Sequence, residues 1–154
     1  MIKIIVSEQK LYHRRKTGVV CVYPISTAKN GVGNQQGSLQ TPLGRHRIKY
    51  KIGDGEMPLT SFVGRKVAGL FSEDIRSSQP DWILSRILWL EGQQTGVNKR
   101  GKQDTFQRYI YIHGTDEEDK IGQPVSHGCI RMCNDDVIDL FAHVRLGEMV
   151  YIKP

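Results

Sequence analysis

Short apolar runs separated by polar, glycine-containing turns constrain the fold of this chain more than any other feature of its sequence. Clear examples are residues 19–23, 82–90 and 108–113, which are rich in β-branched or aromatic residues. Runs of that length and composition are typical of strands. The turns between them can use the 16 glycines of the chain, which adopt backbone conformations that other residues avoid. The chain is therefore predicted to be mainly β.

Only one segment has the periodicity of a helix. Asn134 is a good N-cap, and Gly147 is expected to end the helix. Between them apolar residues recur at helical spacing, at Val137, Leu140, Phe141 and Val144. Strands are predicted over residues 2–6, 10–13, 19–23, 45–50, 82–90, 108–113 and 149–152, and a long polar loop over residues 26–40.

The length and composition fit one soluble domain. A domain usually contains roughly 100–200 residues, so 154 residues leave no room for a second one. Hydrophobic residues make up 38% and charged residues 25% of the chain, which excludes a disordered protein. The longest apolar stretch, residues 82–90, is far shorter than the ~20 residues that span a membrane. We predict a single domain over residues 1–154.

The first residues contain no recognisable export signal. Their apolar run ends at Val6 and polar residues follow, whereas a signal peptide has an apolar run of about 7–15 residues. We therefore predict a cytoplasmic protein, or a periplasmic one if the sequence was trimmed before Met1. In a reducing cytoplasm Cys21, Cys129 and Cys133 should be free thiols, and an odd number of cysteines cannot form a complete disulfide framework.

Histidine, glycine and cysteine residues cluster in one segment. His113 and Gly114 end a predicted strand, and Ser-His-Gly-Cys-Ile-Arg follows at residues 126–131. A cysteine nucleophile needs a base that removes its proton, a group that orients the base, and backbone N–H groups that stabilise an oxyanion. This segment contains the residue types for all of these, so it is compatible with a cysteine acyl-transfer site.

Four motifs together resemble one enzyme family. Ser126-His127-Gly128-Cys129, after an upstream His113-Gly114, is similar to the signature of L,D-transpeptidase (YkuD-type) catalytic domains. Tyr-Pro-Ile-Ser-Thr at residues 23–27 and Thr-Pro-Leu-Gly at residues 41–44 resemble further segments of that family, in the expected order. The resemblance covers about residues 2–152. It implies a mainly β fold of mixed β-sandwich and open-barrel type with one or two short helices.

The resemblance also implies a reaction on murein stem peptides. Cys129 would attack the carbonyl of the L,D bond between the third residue, usually a diamino acid, and a terminal D-Ala. His113 would accept the thiol proton, and the backbone carbonyl of Gly114 would orient the imidazole ring. The product of this attack would be a thioester on the enzyme.

The same motif assigns roles to the residues around the nucleophile. Backbone N–H groups of Gly128 and Cys129 would form the oxyanion hole, and His127 would help to shape the site. Ser126 would hold the loop by hydrogen bonds. Many family members carry Asn at the position of Arg131. We predict that Arg131 pairs with a substrate carboxylate, because a guanidinium matches that group bidentately.

The acceptor of the acyl group stays open at this stage. Water would make the enzyme an L,D-carboxypeptidase that trims murein tetrapeptides to tripeptides during recycling, and the predicted cytoplasmic location favours that outcome. An amine acceptor would make it an L,D-transpeptidase that forms cross-links or exchanges D-amino acids. The net charge of +6 suits a murein tetrapeptide or muropeptide partner, because these substrates have several carboxylates. No membrane partner is expected.

A metal site and a nucleic-acid-binding module fit the sequence less well. A zinc site could be formed by His113, His127, Cys129 and Cys133, but the spacing of the last three matches no common zinc motif, so we expect neither a metal nor a cofactor. A basic nucleic-acid-binding module is the alternative from another class, but its cations are scattered over separate turns without interleaved aromatic residues. These cations are Arg14, Arg15, Lys16, Arg45, Arg47, Lys49, Lys51, Lys99, Arg100 and Lys102.

Overall fold

The structure, a computed structural model, describes residues 1–154 and confirms the mainly β prediction. Its ten strands are β1 (Ile2–Ile5), β2 (Lys10–Arg14), β3 (Val20–Ser26), β4 (Gly44–Ile52), β5 (Thr60–Val63), β6 (Lys66–Leu70), β7 (Leu84–Gly92), β8 (Tyr111–Gly114), β9 (Ile130–Met132) and β10 (Met149–Lys153). One helix, α1, spans Asn134–His143, and short 3-10 helices lie at Val6–Glu8, Glu73–Ser78, Gly101–Gln103 and Glu118–Lys120. None of these helices has the length and apolar character needed to cross a membrane.

Eight of the strands close into a ring. Their order is β4-β10-β1-β2-β3-β9-β8-β7, and β7 pairs in turn with β4. Neighbouring strands are antiparallel except for two parallel pairs, β1 with β10 and β8 with β9. The strand that carries His113, β8, therefore lies across the ring from β1.

The core fills the inside of the ring. Strand residues alternate between the two faces, so that Ile2 and Ile4 are fully buried while Lys3 between them is exposed. The main core cluster contains 18 buried residues, and α1 covers one side of it with its predicted apolar positions. Each fully buried aliphatic side chain contributes about 1.5–3 kcal/mol. A core of this size can stabilise the fold without a disulfide or a bound metal.

The helix differs from the prediction at both ends. Cys133 is its N-cap rather than Asn134, whose side chain bonds instead to the carbonyl of Thr115 and to the hydroxyl of Ser85. The helix ends at His143 rather than at Gly147, because Val144 is already extended and buries its side chain in the core. Tertiary contacts of these residues therefore override the local end signals.

Two predicted strands are displaced along the chain. The run at residues 82–90 becomes β7 two residues later, and the run at residues 108–113 becomes β8, which begins only at Tyr111. Tyr109 has a φ of 56°, a left-handed conformation outside the extended region of a regular strand. Residues 106–109 instead form turns, and the carbonyl of Tyr109 faces the site described below.

Two strand features had no clear sequence signal. The hairpin of β5 and β6 hangs on β7 outside the ring, and every residue of β6 is exposed. The short strand β9 lies directly after Cys129, where the sequence predicted a loop. Its three residues are buried and pair with both β3 and β8, so they fix the position of the preceding cysteine.

Candidate active site

The parallel pair of β8 and β9 places the predicted nucleophile and the predicted base on neighbouring strands. Ile130 pairs with Ile112 and Arg131 with His113, so Cys129 stands at the entrance to β9, next to the residue that opens β8. The backbone N–H of Tyr111 donates to Cys129 Sγ at 3.3 Å, and Sγ lies 3.4 Å from the carbonyl of Tyr109. The sulfur is partly exposed and is held between two backbone groups of the neighbouring chain segment.

His113 has the orientation that a general base requires. Its ring is buried, and Nδ1 lies 2.6 Å from the carbonyl oxygen of Gly114. A carbonyl only accepts, so Nδ1 bears the proton and Nε2 keeps its lone pair. Burial lowers the pKa of His113 from its ordinary value near 6.5, although the charge of Asp81 raises it in part. The imidazole is therefore neutral at pH 7 and ready to accept a proton.

Gly114 could not be another residue. A Cβ at this position would lie 2.6 Å from the carbonyl oxygen of Leu84 and still closer to the side chain of Asn134. Asn134 is itself fixed by hydrogen bonds to Thr115 and Ser85. The backbone at Gly114 thus packs tightly between β7 and the start of α1, which fixes the carbonyl that orients His113.

The loop before Cys129 is held by hydroxyl groups, as predicted for Ser126. Ser126 Oγ donates to the carbonyl of Cys129 at 2.6 Å and accepts the N–H of Gly128 at 3.2 Å. Thr41 Oγ1 donates to the carbonyl of Gly128 at 3.0 Å and ties the loop to the Thr-Pro-Leu-Gly motif. Gly128 has a φ of 129°, a conformation that disfavours a side chain.

One of the two predicted oxyanion donors is free. The N–H of Cys129 donates to no group in the structure, and it belongs to the nucleophile itself. The N–H of Gly128 is bonded to Ser126 Oγ, so it can reach an oxyanion only if that 3.2 Å contact loosens. Of the two candidate oxyanion donors, one is therefore free and the other is bonded to a hydroxyl.

Arg131 lies in surroundings that differ from those expected for a substrate-binding residue. Its side chain is only 4% exposed, and its guanidinium contacts Asp81 at 3.1 Å and Glu117 at 3.7 Å. A substrate carboxylate would have to displace these partners, so the placement argues against the predicted pairing. His127, in contrast, is 63% exposed and lies 3.8 Å from Asp81, with its ring at the rim of the site.

Arg108 is a site residue that the sequence did not reveal. Its guanidinium donates to the carbonyl of Gln40 at 2.6 Å and to that of Gly33 at 3.2 Å, and so anchors the predicted long loop next to Cys129. A shallow cleft beside it is lined by Leu39, Arg108, Tyr109 and His127. This cleft lies close to the nucleophile, because the carbonyl of Tyr109, one of its lining residues, contacts Cys129 Sγ. Arginine occurs throughout the chain, so its residue type gave no signal for this anchoring role. The one available signal was its position in the segment that follows β7.

Aromatic side chains pack beside the residues that contact the sulfur. Trp89 stacks on Phe106 with 4.3 Å between the ring centroids. The guanidinium of Arg65, from the turn between β5 and β6, lies 4.9 Å from the Trp89 ring and 5.0 Å from the Tyr109 ring. Such cation–π contacts contribute about 0.5–2 kcal/mol each. The exposed hairpin is thereby held close to the residues that contact Cys129.

The thiol of Cys129 is predicted to react slowly in the absence of substrate. Burial raises its pKa from 9.0 to about 11, and the N–H of Tyr111 opposes that rise only in part. A shift of two units reduces the thiolate fraction at pH 7 by about 100-fold. We expect iodoacetamide to label Cys129 about 100-fold more slowly than in the urea-unfolded chain, with a rate that increases up to about pH 11. Equal labelling rates in folded and unfolded protein at pH 7 would contradict this.

Comparison with known proteins places this geometry in a family context. A family model described as the L,D-transpeptidase catalytic domain, YkuD, matches residues 1–152. The putative L,D-transpeptidase YqjB of Bacillus subtilis is 51% identical over 90 residues, which are 54% of this chain and 49% of that protein. The probable L,D-transpeptidase YbiS of Escherichia coli is 29% identical over 157 residues, which are 94% of this chain and 41% of that protein.

Solved structures show the same fold at low sequence identity. L,D-transpeptidase 3 from Mycobacterium tuberculosis, in complex with a faropenem-derived adduct, matches 99% of this chain and 59% of its own with a TM-score of 0.56 at 17% identity. The chain spans about half the length of the curated relatives and solved structures that it matches. The similarity therefore concerns the catalytic domain of these longer proteins.

Proposed function

The chain belongs to the YkuD family of L,D-transpeptidase catalytic domains, a family of peptidoglycan-acting enzymes, and on that premise we propose that it cleaves the L,D bond of murein stem peptides through a cysteine thioester. The observation that carries this proposal is the pairing of β8 with β9. It places Cys129 at the start of β9, beside the strand that carries a neutral, oriented His113. The bond attacked would join the third residue, usually a diamino acid, to a terminal D-Ala.

The first half of the proposed reaction forms the acyl-enzyme. Nε2 of His113 takes the thiol proton as Sγ of Cys129 attacks the carbonyl carbon. The protonated imidazole and the negatively charged oxygen therefore form only during the reaction. The resulting oxyanion accepts the free N–H of Cys129, and the N–H of Gly128 joins when it leaves Ser126. When the tetrahedral intermediate collapses, the C–N bond breaks and His113 returns the proton to the departing amine of D-Ala.

The second half transfers the acyl group to an acceptor, for which we propose water. Cys129 is partly exposed and His127 is 63% exposed, so a thioester at this position is open to solvent. His113 would remove a proton from the attacking water, and the thiol would be released with that proton. The products would be a tripeptide and D-Ala, as in the trimming of tetrapeptides. The predicted cytoplasmic location is compatible with this proposal, which does not depend on it.

Transfer to an amine is the second candidate. The matched relatives are named L,D-transpeptidases, and an amine attacks the same thioester by the same steps. The buried guanidinium of Arg131 holds Asp81 at the rim of the site beside His127. This carboxylate is a better candidate for a contact with the substrate than Arg131 itself, and it would favour a substrate ammonium group.

A purified murein tetrapeptide distinguishes the two acceptors. Without an added amine we expect tripeptide and free D-Ala, and with an excess of a different D-amino acid we expect mainly tripeptide with a minor exchange product. Mass spectrometry of the products measures the ratio directly. A product mixture dominated by exchange or cross-linked dimer would assign transpeptidation instead, and an intact tetrapeptide under both conditions would refute the proposed function.

A further inference from the structure

The outer face of the barrel opposite the active site concentrates positive charge. Ten of the 22 Lys and Arg residues lie in residues 1–53, which contain Glu8 as the only acidic residue. Strand pairing brings most of this segment together with β10, and side chains of β1, β2 and β10 alternate between core and exterior. We call the exterior of β3, β2, β1, β10 and β4 the basic face.

The register arranges this face in rows across the strands. One row crosses all five strands and reads Val22, Tyr12, Lys3, Tyr151 and Arg45. The next row reads Pro24, Lys10, Ile5 and Lys153. Aromatic side chains therefore alternate with cations in three dimensions, although the sequence alone suggested that the cations were scattered without aromatic partners.

Five cations of this face have no acidic partner within the protein, whereas Arg47 and Lys49 on β4 pair with Glu91. Lys3, Lys10, Arg14, Arg45 and Lys153 take part in none of the ion pairs of the structure. Glu8, the acidic residue nearest to them, accepts a hydrogen bond from Tyr12. Adjacent strands are about 4.8 Å apart, which is less than the Debye length of about 8 Å at physiological salt. The charges therefore act together on an anionic partner.

Two shallow depressions flank Lys3 on this face. One is lined by Ile5, Tyr12, Arg14 and Val20 together with Glu8, whose carboxylate accepts the hydrogen bond of Tyr12, and the other by Tyr151 and Lys153. Tyr12 and Tyr151 are both half-buried, and each lines the side of its depression. A half-buried aromatic ring with a cation at its edge suits a sugar ring with a carboxylate close by, because the aromatic ring packs against the C–H face of the sugar while the cation meets the charge.

We propose that the basic face binds an anionic glycan polymer, the carboxylate-bearing strand of murein. This inference rests on the proposed function, since the same polymer carries the stem peptides. Because β1 lies across the ring from β8, the protein would bind one strand with this face and present its active site to the stem peptide of another. A bilayer fits less well, since the centre of this face has the cation Lys3, and its exposed apolar side chains, Val20 and Val22, lie at its edge on β3.

Cosedimentation with purified insoluble murein at about 150 mM salt tests the proposal, with anionic phosphatidylglycerol vesicles and duplex DNA as alternative ligands. We expect Lys3→Glu/Arg14→Glu to weaken murein binding by about tenfold or more, because binding to a polyanion depends on the number of neutralised charges. Lys10→Glu/Lys153→Glu, with both changes at strand ends, should behave in the same way if the first variant fails to fold. Lys66→Glu/Lys102→Glu, with the same charge change elsewhere, should bind like the wild type.

The readouts separate this proposal from the proposed function. Cys129→Ala should keep its binding to murein, and the face variants should still turn over a soluble tetrapeptide. Equal murein binding by the face variants and the wild type would overturn the inference, and so would tighter binding to vesicles or DNA than to murein. Loss of binding in the face variants of a protein that turns over no tetrapeptide would support the basic face and refute the enzymatic proposal.

Discussion

Replacement of Cys129 by alanine is expected to reduce the release of D-Ala from a murein tetrapeptide by at least about 10³-fold, because no other group in the site can form the acyl-enzyme. The sulfur contacts the N–H of Tyr111 and the carbonyl of Tyr109, and alanine leaves both backbone positions unchanged. The fold should therefore persist in this variant. Product release measured by mass spectrometry, with a thermal unfolding curve beside it, checks both expectations.

Cys133→Ala is the matched control for this loss. Cys133 is four residues from Cys129 but caps helix α1, and burial and nearby carboxylates, Glu118 first among them, raise the pKa of its thiol to about 11. A variant without this thiol should turn over the tetrapeptide within about twofold of the wild-type rate, since most substitutions outside a catalytic site leave its chemistry intact. Release of D-Ala at the wild-type rate by Cys129→Ala, or its loss in Cys133→Ala, would contradict the assigned nucleophile.

His113→Asn should lower kcat by about 10²–10⁴-fold, which is the usual contribution of a general base. Asparagine can keep a donor directed at the carbonyl of Gly114, the partner of Nδ1 in the wild type, but it has no basic nitrogen in place of Nε2. The remaining activity would come from the small fraction of molecules that already contain a thiolate. The comparison of kcat between the two proteins at several pH values measures this effect.

The pH profile distinguishes a lost base from a damaged structure. Burial places the pKa of His113 below its ordinary 6.5, so wild-type activity should persist at pH 6.5 and fall only as the pH decreases through that lower value. In His113→Asn the decrease in activity that follows protonation of His113 should be absent. Activity should instead increase with pH up to about 11, the pKa of the Cys129 thiol. An unchanged decrease at low pH in the variant would show that another group is the base.

Much of the site could be predicted from the sequence because its parts are local. The Ser-His-Gly-Cys segment and the His-Gly pair at the end of β8 follow the spacing of a known family, and the contacts of Ser126 and Gly114 agree with that prediction. The apolar positions of α1 were predicted correctly as well, since helical periodicity depends on neighbouring residues in the chain.

The remaining features depend on distant residues. Arg131 pairs with Asp81 and Glu117, which lie 50 and 14 positions earlier in the chain. No local sequence pattern indicates such ion pairs. Arg108 acquires its role only because the loop at residues 33–40 folds against it. The alternation of Tyr12, Lys3 and Tyr151 on the basic face likewise requires the pairing of the first strand with the last one.

The central claim is that catalysis passes through a thioester on Cys129, and a rapid acid quench of the enzyme during tetrapeptide turnover tests it most directly. Intact-mass and peptide-mapping measurements should show the enzyme with an added acyl group equal to the tetrapeptide minus D-Ala, located on the peptide that contains Cys129. The adduct should disappear when substrate is exhausted. Continued release of D-Ala with no adduct, or with an adduct on another residue, would contradict the account.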